Sequence, residues 1–232
     1  MNSQNQLNLS TEPVWHVAET KNYNTVVWYL DHAQMQSEVF GIVGNTGHSK
    51  TFAAKQYAAV TRNAWHVECK EHWNKKMFLQ SLLALMHQDS SGTNIGEMMQ
   101  QIVNYVRSLN EPSIIILDEA DKLDDKVLYF FISLYNELED KCGIIMLATD
   151  YLKKRIDRGV ERNKKGYKEI LSRLGGKFIV LAPNSDKDIE KICQANGLNE
   201  AIHITEAVNE SKGDLRRVKR VIKKYSSKNK AA

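Results

Sequence analysis

The stretch GNTGHSKT, residues 44–51, departs at one position from the phosphate-binding pattern G-x-x-x-x-G-K-[ST], because Ser49 stands where the last glycine belongs. The apolar run EVFGIVG (38–44) precedes it, and the helical pattern TFAAKQYAAVTR (51–62) follows it. A glycine loop between strand and helix offers free backbone N–H groups at a positive helix end, which is what a phosphate needs. Gly44, Asn45, Thr46, Gly47, His48, Ser49, Lys50, Thr51 and Phe52 are therefore the candidate phosphate cradle. Lys50 would supply charge, and the Thr51 hydroxyl would hold Mg²⁺.

The flanking chain alternates between helix-like and strand-like segments. VVWYLDHAQ (26–34) has helical spacing, AWHVEC (64–69) reads as a strand and KKMFLQSLLALMHQ (75–88) as a helix. EMMQQIVNYVRSL (97–109) is a further helix, and SIIILDEAD (113–121) opens as a fully apolar strand. KVLYFFISLYNELED (126–140), the strand GIIMLATD (143–150), a basic helical stretch and the strand KFIVLAP (177–183) complete the series. Continuous apolar strands separated by helices indicate an α/β fold with a parallel sheet flanked by helices. After Pro183 the strands stop and three short helices are expected, forming a small all-α lid domain. The expected organisation is a flexible leader (1–20), an α/β nucleotide-binding domain (21–183), a helical lid (184–226) and a basic tail (227–232).

Composition sets the broader limits. The 232 residues are 42% hydrophobic and 26% charged, as in ordinary globular proteins. No apolar run approaches the roughly 18 residues that span a bilayer, and the polar start MNSQNQLNLSTEP does not resemble a signal peptide. A cytoplasmic location and no membrane partner are expected. Cys69, Cys142 and Cys193 form no C-x-x-C pair, and the first two read as buried fillers beside strands. His66 and His72 have no nearby ligands to complete a metal set.

In SIIILDEAD the apolar strand delivers Asp118 and Glu119 at its C-terminal end, where ligands sit in open α/β sheets. Asp118 is placed to hold Mg²⁺, and Glu119 to orient and deprotonate an attacking water. Thr149, ending GIIMLATD, could meet a γ-phosphate or simply cap the next helix. Arg216, in KGDLRRVKRV, could swing with the lid onto the phosphates. Arg173, in EILSRLGGKF, could project to a neighbouring subunit, with Arg158 and Arg162 as rivals.

Taken in order, these segments resemble the AAA+ ATPases, in an ORC-like branch. GNTGHSKT is similar to Walker A, IIILDEAD to Walker B, LATD to sensor 1, LSRLGGKF to the arginine-finger region and GDLRR to sensor 2. The extra helix before Walker B, the phrase LDEADKL and the ending SRLGGKF resemble the MuB/TnsC-type transposition regulators. That resemblance implies ATP and Mg²⁺ as cofactors, slow DNA-stimulated hydrolysis, and a homo-oligomeric ring or filament on double-stranded DNA. It also implies a transposase partner and a bacterial, phage or mobile-element origin. A helicase loader or replication initiator, and a non-hydrolysing nucleotide switch, are the alternative readings.

The formal charge is only +4, but basic residues crowd two segments, 153–168 and 212–230, which suggests a polyanionic partner. Unlike the phage Mu protein, the chain is expected to lack an N-terminal DNA-binding helical domain. DNA contacts are therefore expected from the core or lid: Lys70, Lys75 and Lys76 beside Trp73, with Lys153, Lys154 and Arg155. The tail KKYSSKNKAA is a further candidate contact.

Overall fold

The computed structural model describes residues 15–228, so most of the expected leader and the end of the expected basic tail lie outside the described residues. Five strands form one parallel sheet in the order β2-β3-β4-β1-β5. They are β1 (Val39–Val43), β2 (Ala64–Glu68), β3 (Ile114–Asp118), β4 (Gly143–Ala148) and β5 (Phe178–Val180). From β1 the chain crosses three positions, past β4 and β3, to β2 at the sheet edge and then steps back through β3 to β4, which pairs with β1. The carboxyl ends of β1, β3 and β4 therefore lie side by side, which is where open α/β sheets bind ligands.

Strand burial explains the layering. Every residue of β3 and β4 is buried, and alternate residues face opposite sides of the sheet. Ile114, Ile116, Ile145 and Leu147 pack with α1 (Lys21–Gln36) and α2 (Lys50–Val60). Ile115, Leu117, Ile144 and Met146 pack on the other face. There they meet α3 (Lys75–Leu85), α4 (Ile95–Ser108), α5 (Asp125–Leu138), α6 (Asp150–Glu161) and α7 (Tyr167–Arg173). The period-two split of uninterrupted apolar strands is what two helical layers require. The basic stretch expected as one helix divides into α6 and α7, separated by a turn that ends at Gly166 with φ +83°.

Side-chain caps set the helix starts. Asn94 and Glu97 form a reciprocal capping box on α4, and Asp124 caps α5. Buried Gln34 ties α1 across the bottom of the sheet: its Nε2 donates to the carbonyls of Arg62 and Pro112 at 2.8 and 3.0 Å. Tyr57 of α2 donates its hydroxyl to Gln34 Oε1 at 2.8 Å. Burial raises the Tyr57 phenol to about 12, so this donor stays protonated. Cys69, Cys142 and Cys193 are buried free thiols.

The C-terminal part is a separate helical cluster. α8 (Asp186–Ala195), α9 (Ala201–Ser211) and α10 (Leu215–Lys228) enclose Ile189, Ile192, Cys193, Leu198, Ala207, Val218, Val221 and Ile222. Trp15 and Ala18 pack against this cluster. The backbone of His16 exchanges two hydrogen bonds with the Asn196 side chain, at 3.0 and 3.1 Å. Residues 15–20, within the segment expected as a leader, thus strap α1 to the lid.

Asp125 at the start of α5 gathers three donors from α6 and the segment after it. Arg155 Nη2 lies at 2.5 Å, Tyr167 Oη at 2.8 Å and Lys164 Nζ at 2.6 Å. Arg155 also donates to the Leu123 carbonyl at 2.7 Å. Burial alone would raise the Asp125 carboxyl, but these donors outweigh it and bring it down to about 2 from 3.8. A depressed folded value adds stability above the unfolded value and loses it as pH falls through the folded one. Asp125→Asn is therefore expected to cost about 1 kcal/mol at neutral pH, after allowance for solvent screening. In urea titrations that difference should hold from pH 7 to 5 and shrink as pH falls from about 4 towards 2.

Candidate nucleotide site

The loop between β1 and α2 closes over the carboxyl edge of the sheet beside a cavity of about 370 Å³. Thr46, Gly47, His48, Ser49, Lys50, Thr51 and Phe52 line it, with Asp118, Glu119, Thr149 and Arg216 opposite. Gly44 and Asn45 lie behind the lining, as the carbonyl acceptors of Lys50 Nζ at 2.6 and 3.1 Å. Burial lowers the Lys50 pKa, and the carboxylates of Asp118, Asp121 and Asp150 work against that shift. Among the described residues, no backbone N–H from Asn45 to Phe52 donates to an acceptor of the chain. A row of free donors at the start of a helix is the cradle expected for phosphate.

Two loop residues adopt left-handed backbone, Gly47 at φ +83° and Ser49 at φ +66°. At Gly47 the conformation and a close approach both demand glycine, since a Cβ would lie 2.3 Å from Asp214 Oδ1. Ser49 is the N-cap residue of α2 but makes no side-chain capping bond, so nothing local offsets its positive φ. The departure from the glycine pattern is thus a backbone cost of about 1 kcal/mol, located beneath the phosphate cradle.

Asp118 is buried, and both of its carboxylate oxygens are held. Oδ1 accepts the Glu119 N–H at 2.9 Å, and Oδ2 lies 3.0 Å from His66 Nε2. His66 had no visible ligand set in the sequence; strand pairing of β2 with β3 supplies its partner. Glu119 sits at φ +55°, and its Oε2 is paired with Lys122 Nζ in the following 3₁₀ turn. Thr149 caps α6, accepting from the Tyr151 N–H at 3.4 Å, while its hydroxyl donates to Asp121 Oδ2 at 2.8 Å. Of the two roles expected for Thr149, the capping one is present, and its hydroxyl proton is committed to Asp121.

Thr51 and Asp118 face the same cavity and supply hard oxygen donors. Mg²⁺ takes one or two such protein ligands and completes its shell with phosphate oxygens and water, so this pair fits the ion. Beside the loop, buried His48 Nδ1 and Asp150 Oδ1 have no hydrogen-bond partner among the described residues. Burial pushes the His48 imidazole below its ordinary value, and the nearby Lys50 ammonium adds to that, so His48 is neutral at neutral pH.

The other end of the cavity is apolar and was not foreseen. Trp15, Ala18, Tyr23, Ile192 and Leu215 line it, bringing residues from the two ends of the chain together. An alternating pattern carries no signal for contacts of that sequence separation. The lid is pinned to the loop at one point, the Gly47 carbonyl. It accepts from Asn184 Nδ2 at 3.1 Å and from the Leu215 N–H at 3.3 Å. Asn184 also donates to the Gly213 carbonyl at 2.7 Å and accepts from Asn22 Nδ2 at 3.1 Å.

The remaining expected residues lie outside the cavity. Arg173 donates to Asn136 Oδ1 and to the Glu169 carbonyl and covers the Tyr135 ring. Arg155 was expected on DNA, but it is spent inside the domain on Asp125, Leu123 and Tyr167, with its side chain only 15% exposed. Lys153 is paired with Asp157 at 2.6 Å, Lys70 with Glu68 at 3.2 Å, and Lys75 lies over the Phe130 ring. Lys76 and Lys154 are exposed, and Trp73 packs against the core.

A parallel sheet, a phosphate loop, an acidic pair and a helical lid over one cavity define a P-loop nucleotide-binding protein. Residues 19–156, more than half of the chain, match the AAA domain family, and the chain belongs to that family of ATPases. Its fold is similar to the ORC1 protein of Aeropyrum pernix, solved in complex with DNA, at 16% identity and TM-score 0.63. That match covers 90% of this chain and 60% of the other. Cdc6p from Pyrobaculum aerophilum is similar at 14% identity and TM-score 0.57, over 79% of this chain and 51% of the other. The chain thus spans roughly half to three-fifths of these proteins' length. No curated protein matches it.

Two outcomes are expected from this geometry. Ser49→Gly should raise thermal stability by about 2–4 °C, because it removes a left-handed non-glycine residue worth about 1 kcal/mol. Asn184→Ala removes the donor of the Gly213 carbonyl and leaves the Gly47 carbonyl with the Leu215 N–H alone, at a cost of about 2 kcal/mol. Hydrogen exchange should then show α10 amides opening faster while those of β3 stay protected.

Proposed function

We propose that this protein is an ATP-dependent, DNA-binding AAA+ ATPase that assembles as a homo-oligomer on double-stranded DNA and directs a transposase to target DNA. The observation carrying the nucleotide part is the convergence of Lys50, Thr51, Asp118, Glu119 and Arg216 on one cavity. The transposition part rests on the resemblance of LDEADKL and SRLGGKF to the MuB/TnsC-type regulators, together with the two helices α3 and α4 inserted before β3.

In this reading Lys50 leaves the carbonyls of Gly44 and Asn45 for the phosphates, while the loop N–H groups donate to the phosphate oxygens. Thr51 and Asp118 would hold Mg²⁺, which neutralises charge on the triphosphate when bound. His66 keeps the Asp118 carboxylate in a fixed orientation. Glu119 takes the proton of the attacking water once Lys122 has released its carboxylate. Arg216 answers the charge on the phosphates from the lid, and Arg173 does so from a neighbouring subunit. The Glu119–Lys122 pair and the strained Ser49 both favour slow hydrolysis. Lys70, Lys75, Lys76, Lys153 and Lys154 remain the proposed contacts to DNA phosphates from the core.

A replication initiator or helicase loader is the second reading, favoured by the fold likeness to the ORC1 protein solved with DNA. Steady-state ATP turnover with and without duplex DNA tests the proposal. Turnover should be low, rise several-fold with DNA and vanish in Glu119→Gln, and Lys50→Ala should abolish nucleotide binding. No turnover in either condition, with Glu119→Gln matching the parent, would overturn the ATPase. Electron microscopy with a non-hydrolysable ATP analogue and DNA should show rings or filaments. Stimulation by a transposase encoded beside the protein, and not by a replicative helicase, separates the two readings.

A further inference from the structure

The two basic segments look alike in sequence, and the structure separates them. In α6 and the turn after it three cations are paired within the domain, Lys153 with Asp157, and Arg155 and Lys164 with Asp125, while Lys154, Arg158, Arg162 and Lys165 stay exposed. Residues 212–232 hold nine Lys and Arg against Asp214 as the one acid. α10 divides these by face. Val218, Val221 and Ile222 are buried in the lid core. Leu215, Arg216 and Lys219 line the nucleotide cavity.

The third face carries Arg217, Arg220 and Lys224, spaced i, i+3, i+7 along about 10 Å of helix. Arg217 reaches Asp214 only at 4.0 Å, and Arg220 has no hydrogen-bond or ionic partner among the described residues. Lys224 is shared with Glu206 at 2.6 Å. Exposed Lys212, at the left-handed end of α9, lies just before the same helix and has no ionic partner among the described residues.

We propose that this face of α10, with Lys212, is a duplex-DNA contact that reports on the nucleotide site, an inference that rests on the DNA-binding reading above. A row of cations at helical spacing, in which Lys224 is closely paired and Arg217 and Arg220 are not, suits regularly spaced phosphates rather than a folded apolar partner. The adjacent face of the same rigid helix bears Arg216 and Lys219, and its first N–H is bonded to the Gly47 carbonyl of the phosphate loop. Phosphates held at Arg217 and Arg220 therefore fix the position of Arg216 over the cavity. Coupling of this kind is reciprocal: DNA tightens nucleotide, and nucleotide tightens DNA, by the same factor.

The test uses the full chain and the double variant Arg217→Ala/Arg220→Ala. Binding of a fluorescent ATP analogue is measured with and without a random-sequence duplex, and duplex affinity is measured across a salt series. Without DNA the variant should bind the analogue, hydrolyse ATP and melt as the parent does. Its slope of log affinity against log salt should fall by about 2 per bound protomer, following the loss of two phosphate contacts. The tightening of the analogue by DNA should disappear. A variant with the parent's slope and the parent's coupling would overturn the inference and assign the face to an acidic protein surface. A parent chain that binds no duplex at all would overturn the DNA-binding reading itself, so the two failures are distinguishable.

Discussion

The carbonyl oxygen of Gly47 is the point on which the two halves of the molecule turn. It belongs to the phosphate loop, and it accepts both the Asn184 amide and the first N–H of α10. A carbonyl can point outward there only because Gly47 is left-handed and has no Cβ, since a side chain would strike Asp214. Arg216 follows directly on the helix so anchored, and the cavity exists because loop and lid are held apart and joined at that bond. Asn184 completes the joint by linking Gly47, Gly213 and Asn22, so the first helix, the loop and the lid share one buried side chain.

Within the α/β part, the constraint is the alternate burial of strands that show no alternation in sequence. Each strand feeds one apolar set to α1 and α2 and the other to α3–α7, which leaves only the carboxyl edge for polar chemistry. That edge is where backbone strain gathers, with Ser49 and Glu119 both at positive φ beside the cavity. Strain of this kind persists where surrounding structure over-determines it. Here the sheet, the buried Asp118 and the lid contact at Gly47 supply that support.

Charge follows a different logic on the two basic segments. Around α6, acids from α5 and from the helix itself engage Lys153, Arg155 and Lys164, and these pairs close the domain. On α10 the chain supplies almost no acids, and the charge is left to face solvent and the cavity. Sequence counts alone treat the two alike, because neutralisation depends on what stands across a few ångströms rather than on what stands nearby in the chain.

The sequence by itself determined the layered α/β fold, the helical end, the loop at residues 44–51 and the acidic pair Asp118–Glu119. All of these rest on local periodicity and on short motifs whose chemistry needs neighbours in the chain. The tertiary structure decided what depends on distant partners. It set His66 against Asp118, Asp121 against Thr149 and Trp15 beside Leu215 at the cavity. It removed Arg155 from the surface into the Asp125 network. It also showed that the departure at Ser49 is one of backbone conformation, at φ +66°. Such pairings are fixed by strand order and helix docking, which bring together residues that no spacing along the chain connects.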